Sequence, residues 1–313
     1  NQNEKTTEKE MRSFMAGFSR ELNTDIQVEQ FVDGILGIQE KRKKRKAINR
    51  IASAERNLRD YRFFSTFTHR DNRDFEYREE DVRLELRKRI VGELFKWSRL
   101  DNDDEISLGK SGAAPKTTAR RESKAFYVMG PPASGKSGVS SKIADVYGCY
   151  ILDSDYAKRK LAEYNNQIGA ASLVHEESDA LVFGDNGLMD RCMAMKDNIV
   201  IPKIGWNMKS VLDMCKGLKS AGYKVYLISV DLDRQKATQR AYNRFIKTKR
   251  YVPLSLVFDN YGNQPTLNYF KIRQNHSDMF DGFSQISTDV AFGQPAVLVE
   301  AYNMEEMKNV EWR

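Results

Sequence analysis

Proline is scarce where the chain begins. Seven prolines occur in 313 residues and none precedes Pro115, so the first third lacks the residue that most effectively breaks a helix. Cysteine is scarce throughout: Cys149, Cys192 and Cys215 are odd in number, widely spaced and form no Cys-x-x-Cys pair. That argues against a disulfide framework or a zinc ribbon and for a reducing compartment. No apolar run approaches the roughly 18 residues of a membrane-spanning helix, so no membrane contact of that kind is expected. The first residue is Asn1 rather than Met, which reads as a trimmed or processed start that would hide any targeting segment.

What remains is a folded-protein composition, 40% hydrophobic and 30% charged, in a chain long enough for two domains. The net charge of +7 suggests acidic partners, among which nucleotide, nucleic acid and acidic protein all qualify. Part of the excess sits in Lys41-Arg42-Lys43-Lys44-Arg45-Lys46, either a contact for such a partner or a solvated helix face.

Residues 1–118 read as a helical region with a linker. Phe14, Phe18 and Leu22, then Val28, Phe31, Val32, Ile35 and Ile38, and later Val82, Leu84, Leu86, Ile90, Val91, Leu94 and Phe95 recur at helical spacing. Asp71-Asn72 marks a break, and 101–115, rich in Asp, Gly and Ser, reads as the linker. Tyr61-Arg62-Phe63-Phe64 could stack on bases, but aromatics flanked by charge on a helix more often pack into a core. From Lys124 the pattern alternates. Strands are expected at 125–129, 149–152, 198–201, 224–230 and 296–300, and helices at 138–147, 156–164, 208–221 and 233–247. That predicts an α/β fold with a mainly parallel sheet flanked by helices, in which ligands bind at the carboxyl ends of strands.

Between the first such strand and its helix lies Gly130-Pro131-Pro132-Ala133-Ser134-Gly135-Lys136-Ser137, which fits Gly-x-x-x-x-Gly-Lys-Ser/Thr in the strand–loop–helix context that a phosphate-binding P-loop requires. Backbone N–H groups and the open helix N-terminus offer partial positive charge to a phosphate chain, and glycines let the backbone approach. Lys136 would reach the terminal phosphates and the Ser137 hydroxyl would ligate Mg²⁺. A nucleoside triphosphate, ATP or GTP, is the ligand this predicts.

The second strand ends in Asp153-Ser154-Asp155. A carboxylate beside a P-loop can hold Mg²⁺ or take the proton of an attacking hydroxyl, whereas Asp155 could equally cap the helix that follows. Arg240 and Arg244 lie one helical turn apart, with Arg234 and Arg250 bracketing them. They could close over a triphosphate as a lid does, or form a solvated basic face.

The order and spacing of several segments resemble the zeta-toxin family of P-loop kinases. The P-loop, Leu152-Asp153-Ser154-Asp155, Val174-His175-Glu176-Glu177-Ser178, Asn198-Ile199-Val200-Ile201-Pro202, Ala221-Gly222-Tyr223 and Arg250-Tyr251-Val252-Pro253 carry the resemblance. It implies transfer of the γ-phosphate of ATP or GTP to a sugar hydroxyl, of UDP-N-acetylglucosamine in the toxins or of NAD in a related branch of bacterial effectors. Asp155 would then be the general base, Glu176 or Glu177 would contact the acceptor, and Arg240 or Arg244 with Arg250 would clamp phosphates. His175 could polarise a substrate group or be structural. One departure bears on the acceptor. Where toxins that modify UDP-N-acetylglucosamine continue the third strand into Glu-Gly-Thr, this chain reads Pro202-Lys203-Ile204-Gly205, and Lys203 would suit an acceptor with negative charge near its hydroxyl unless it is a plain surface lysine.

The expectation is a P-loop kinase domain over 119–313 that phosphorylates an alcohol group of a nucleotide-containing small molecule, acting as a toxin or effector in the bacterial cytoplasm or in a target cell. A small antitoxin or chaperone is the protein partner that this implies. The alternatives are a polynucleotide 5′-hydroxyl kinase, which the basic run would serve, and a non-enzymatic nucleotide-binding interaction protein.

Overall fold

The computed structural model describes residues 19–61, 64–165 and 167–312. Phe14 and Phe18, and Arg62 and Phe63 of the aromatic segment, lie outside them; Phe64 is about half exposed.

The amino-terminal region is helical. Helix α1 (Asp25–Phe31) starts at a capping box in which the Thr24 side chain accepts from the Gln27 amide and Gln27 reaches back. Helices α2 (Lys41–Tyr61) and α3 (Glu80–Lys96) follow. Strand β1 (Lys124–Met129) leads through the P-loop into α4 (Lys136–Tyr147), and β2 (Tyr150–Ile151) leads into the short α5 (Ser154–Lys158). Helices α6 (Ala170–Leu173), α7 (His175–Phe183) and α8 (Leu188–Ala194) precede β3 (Ile199–Lys203). Then come α9 (Met208–Ser220), β4 (Lys224–Asp231), α10 (Arg234–Thr248), α11 (Gln264–Asn275), β5 (Gly282–Ser287) and β6 (Val297–Tyr302).

The sheet order is β2-β3-β1-β4-β5-β6, parallel except for β6, which pairs antiparallel with β5. The expected mainly parallel sheet flanked by helices is what forms. β1 is central and Ala125 to Met129 are all buried, as an apolar run without alternation requires when both faces are covered. Helices α6, α7, α8 and α11 add to those expected, and two further elements differ from the sequence reading. β5 was not foreseen: Gly282-Phe283-Ser284-Gln285-Ile286-Ser287 has only two large apolar residues, and its burial comes from pairing with β4 rather than from its own pattern. The helix expected over 156–164 stops at Lys158, beyond which the backbone continues in i to i+3 turns while Lys160 is drawn inward.

The segment 101–115 is packed rather than loosely linking. Ile106 and Ala113 are buried, and the Lys160 ammonium donates to Glu93 at 2.8 Å, to Ser107 O at 2.9 Å and to Ser111 O at 2.5 Å. A buried ammonium is tolerated only where its protons find such acceptors. Helix α3 joins the sheet's core through Leu86, Ile90, Val91 and Leu94, whereas Val82 and Leu84 of the same apolar series face solvent. A second core links the amino-terminal helices to the arginine-bearing segment: Val28, Phe31, Val32 and Ile51 pack with Ala241, Phe245, Tyr251, Leu254 and Phe258.

Glu177 holds α3 to α7. Fully buried, it accepts from Arg83 Nε at 2.8 Å and Nη2 at 2.5 Å, from Arg87 Nε at 2.7 Å and from the Thr66 hydroxyl at 2.5 Å. The reading of Glu177 as an acceptor ligand gives way here, because both of its oxygens are committed to this ion cluster. Burial raises its pKa, but Arg83, Thr66 and Arg87 outweigh that and push it down to about 2. Replacing it, as in Glu177→Ala, leaves the buried Arg83 with Glu163 as its one remaining carboxylate and is expected to lower the unfolding free energy by about 3–5 kcal/mol at neutral pH. The contribution of a depressed carboxylate exists above its unfolded pKa and disappears as pH falls through its folded one. Urea unfolding of the two proteins should therefore show the deficit shrinking between about pH 4 and pH 2.

Candidate active site

The P-loop conformation follows from its glycines. A Cβ on Gly130 would sit 2.5 Å from Val230 O and 3.0 Å from Ser134 Oγ, so β1 can enter the loop against β4 only with glycine there. Gly135 has φ of +92°, a left-handed value that glycine adopts without strain, and it starts α4. A loop after β5 braces the turn: Thr288 Oγ1 donates to Ser134 O at 2.5 Å, and Arg240 Nη2 donates to Thr288 O at 2.7 Å. Sequence spacing pointed to Arg240 as a lid residue. In this structure it secures the brace of the P-loop, through a threonine 48 residues away.

Lys136 Nζ folds back on its own loop, donating to Gly130 O and Pro131 O at 2.8 Å each. Burial and the neighbouring Arg244 push its pKa down to about 7, against the opposing pull of Asp153 and Asp155. Ser137 is exposed at the start of α4, while Ser134 is buried and its hydroxyl has no partner. An orphaned hydroxyl inside a loop whose glycines leave no room for a side chain fits a ligand that supplies acceptor oxygens, such as a phosphate chain.

Asp153 and Asp155 take separate roles. Asp153 caps α5, accepting from the Asp155 amide at 2.9 Å, so the capping function weighed for Asp155 belongs to its neighbour. Burial and the charge of Asp155 push Asp153 up to about 6. Asp155 accepts from Lys158 Nζ at 3.1 Å and from Arg250 Nη2 at 2.9 Å. Burial alone would raise its pKa; Lys158, Arg250 and Arg159 hold it well below the usual carboxylate range.

Arg244 and Arg250 converge on the same place. Arg250 spans two carboxylates, with Nη1 3.1 Å from Asp104 and Nη2 on Asp155. Arg244 is in reach of the charges of Arg250, Asp155 and Lys136, and its buried Nε has no partner. Burial and Arg250 both lower its pKa.

On the other flank, Lys203 ends β3 level with Met129, the last residue before the P-loop. Its ammonium lies 3.4 Å from Asp179 and 3.9 Å from the centre of the Phe183 ring, so it is not a free surface lysine. Asp179 also accepts from Ser154 Oγ at 2.9 Å, which ties Lys203 to the residue beside Asp155. His175 begins α7; its pKa is lowered by burial and by Lys158, and it feels the charges of Asp179, Asp155 and Lys203. Glu176 is exposed and accepts from Ser65 Oγ at 2.8 Å.

The structure thus brings Lys136, Asp155, Arg244, Arg250, His175 and Lys203 into one neighbourhood, places Arg240 behind the loop and removes Glu177. Sequence reasoning missed Asp104, Lys158, Arg159, Asp179 and Thr288. Of these, Lys158 and Arg159 had a local signal, lying three and four residues after Asp155. Among the described residues no group of three or more His, Cys, Asp or Glu could hold a metal ion, and no helix is long and apolar enough to cross a membrane.

No curated protein matches the chain. Among solved structures, it is similar to a chain of the PezAT chromosomal toxin–antitoxin system of Streptococcus pneumoniae, with 13% identity over 74% of this chain and 83% of the other and a TM-score of 0.49. The AvrRxo1-ORF1:-ORF2 structure with ATP aligns at 17% identity over 74% of this chain and 72% of that chain, TM-score 0.45. The native AvrRxo1-ORF1:-ORF2 complex aligns at 18% identity over 77% and 74%, TM-score 0.44. Residues 111–266 match the family model of the zeta toxins, a span that runs from the packed segment before β1 through the P-loop, Asp155 and the arginines into the first turn of α11, and this part of the chain is accordingly a zeta-toxin domain with a kinase-type P-loop fold.

Proposed function

We propose that this protein transfers the γ-phosphoryl group of ATP or GTP to a sugar hydroxyl of a nucleotide-containing small molecule, acting as a bacterial toxin or effector. One observation carries the reading: a carboxylate, Asp155, stands beside the P-loop inside a ring of cations, Lys136, Lys158, Arg159, Arg244 and Arg250. A phosphate chain entering that ring would meet charge-assisted donors already in place, which is most of what phosphoryl transfer asks of a protein.

In the reaction, the acceptor oxygen forms a bond to the γ-phosphorus as the bond from that phosphorus to the β-bridging oxygen breaks. The hydroxyl proton passes to the Asp155 carboxylate and the nucleoside diphosphate leaves. Asp155 is a weak base while Arg250 and Lys158 hold it. That suits a loose transition state, in which the hydroxyl becomes acidic only as its bond to phosphorus forms. The P-loop amides and Lys136 would bear the β- and γ-phosphates, and Arg244 with Arg250 would offset charge on the transferring group. Mg²⁺ would supply further charge neutralisation, with the Ser137 hydroxyl as its protein ligand and phosphate oxygens and water as the rest.

Lys203, Asp179 and His175 line the side away from the arginines and form the proposed acceptor face, with Glu176 at its rim. Their mixed charge suits a dinucleotide or a nucleotide sugar such as NAD or UDP-N-acetylglucosamine. A family of this kind also makes a small protective antitoxin or chaperone a reasonable partner, one that would cover the nucleotide site.

Two measurements test the reading. Incubation with γ-labelled ATP, Mg²⁺ and separate samples of NAD, UDP-N-acetylglucosamine and a short oligonucleotide should label one of the two small molecules. Asp155→Asn should lower that transfer by at least about 100-fold while MgATP still binds. Label on the oligonucleotide alone would favour the polynucleotide kinase, and full activity in Asp155→Asn would remove the assigned base.

The second test is pH. Lys136 loses its proton as pH rises through about 7, and phosphate binds the protonated form. MgATP affinity is therefore expected to fall roughly 10-fold between pH 6 and pH 8. Titration calorimetry on Lys136→Arg, whose charge does not titrate there, should show a flatter profile; an equally steep one would assign the dependence to another group.

A further inference from the structure

Arg250 is anchored from a part of the chain that the family motifs do not include. Its two terminal nitrogens point to different carboxylates: Nη2 to Asp155 at 2.9 Å, and Nη1 to Asp104 at 3.1 Å. Asp104 sits in the 3-10 turn Asp103–Glu105, where the Asn102 side chain accepts from the Asp104 amide at 3.1 Å. The same Asp104 oxygen also accepts from Arg159 Nη2 at 3.0 Å. Lys160 pins the loop just beyond this turn by its bonds to Ser107 O and Ser111 O, and buried Ile106 anchors the residues between. Asp104 is thus fixed from behind while its carboxylate faces the site.

We propose that Asp104 is a positioning residue for Arg250, a pivot that keeps the guanidinium over the phosphate site when its other nitrogen exchanges Asp155 for a phosphate oxygen. This rests on the kinase reading above. Two features of the surroundings make a pivot necessary. Arg250 is crowded by like charge from Arg244, so without a counter-charge on its Nη1 side it is driven out toward water. It also follows the carboxyl end of α10 at a Lys249 that has φ of +59°, outside the helix that would otherwise fix its direction. The Asp155 contact cannot serve as the anchor, because the reaction needs that carboxylate free to receive a proton. Asp104 takes no part in the chemistry and remains paired throughout.

A positioning role separates from an electrostatic or a structural one by its kinetic signature. Deleting a negative charge near a phosphate site would by itself tighten nucleotide binding and leave turnover alone, whereas loss of structure would lower stability and both constants together. Loss of positioning lowers kcat with little change in KM.

The experiment measures steady-state transfer from MgATP to NAD and to UDP-N-acetylglucosamine, with melting temperature alongside, for wild type, Asp104→Asn, Asp104→Glu, Arg250→Ala and the Asp104→Asn/Arg250→Ala double variant. Asp104→Asn is expected to lose roughly 10- to 100-fold in kcat with KM for MgATP within about threefold and an essentially unchanged melting temperature. Asp104→Glu should recover part of the rate, and Asp104→Asn should cost nothing further once Arg250 is alanine. Wild-type kcat in Asp104→Asn, or the same loss repeated in the Arg250→Ala background, would overturn the pivot while leaving the kinase intact. Absence of transfer by the wild type to either acceptor would instead overturn the reading on which the pivot depends.

Discussion

The constraint on which the site depends is an excess of positive charge at one end of a parallel sheet. Lys136, Lys158, Arg159, Arg244 and Arg250 gather around a P-loop that already presents backbone N–H groups and a helix N-terminus. Left alone, such a cluster would repel itself apart. Two aspartates, Asp104 and Asp155, hold Lys158, Arg159 and Arg250 at distances near 3 Å and yet leave Lys136 and Arg244 without a carboxylate of their own. A cationic site of this kind is preorganised for a polyanion, whose charge would offset the mutual repulsion of these groups.

The scaffold explains why the excess can be maintained. β1 lies inside the sheet and is buried on both faces, so the P-loop emerges from a strand paired on both edges and packed on both sides. Thr288 and Arg240 brace it from the β5 side, and Glu177 with Arg83 and Arg87 fastens the opposite flank, where α7 carries His175 and Asp179. The buried ion cluster and the buried Lys160 do structural work with groups that a sequence reading assigns by default to ligand or solvent. Their desolvation is offset because nearly every proton and lone pair has a partner.

Much of this was legible in the sequence, for local reasons. The P-loop declares itself because its chemistry lies in consecutive residues, and Asp155 because it ends a short apolar strand. The four parallel strands at 125–129, 149–152, 198–201 and 224–230 were visible as apolar runs. What escaped depends on partners far apart in the chain. Glu177 looked like a site residue beside Glu176 because nothing within a few positions announces Arg83, 94 residues away. Arg240 looked like a lid residue because Thr288 cannot be foreseen from helical spacing, and Asp104 lay in a stretch whose composition suggests a linker. β5 was hidden because sheet pairing, not its own hydrophobicity, makes it a strand.

The second apolar core has a consequence for motion. Helix α10 has two working faces: Arg240 and Arg244 look toward the nucleotide side, while Ala241 and Phe245 are sealed against Val28, Phe31 and Ile51. Arg20 pairs with Asp259 through its backbone and guanidinium, and Tyr251 donates to Glu55. The arginine segment is therefore no hinged flap that swings by itself. Any opening that lifts it from the P-loop must carry the amino-terminal helices along or tear an apolar seam, so the tempo of nucleotide exchange is set by the cohesion of that seam and not by the few residues around Lys249.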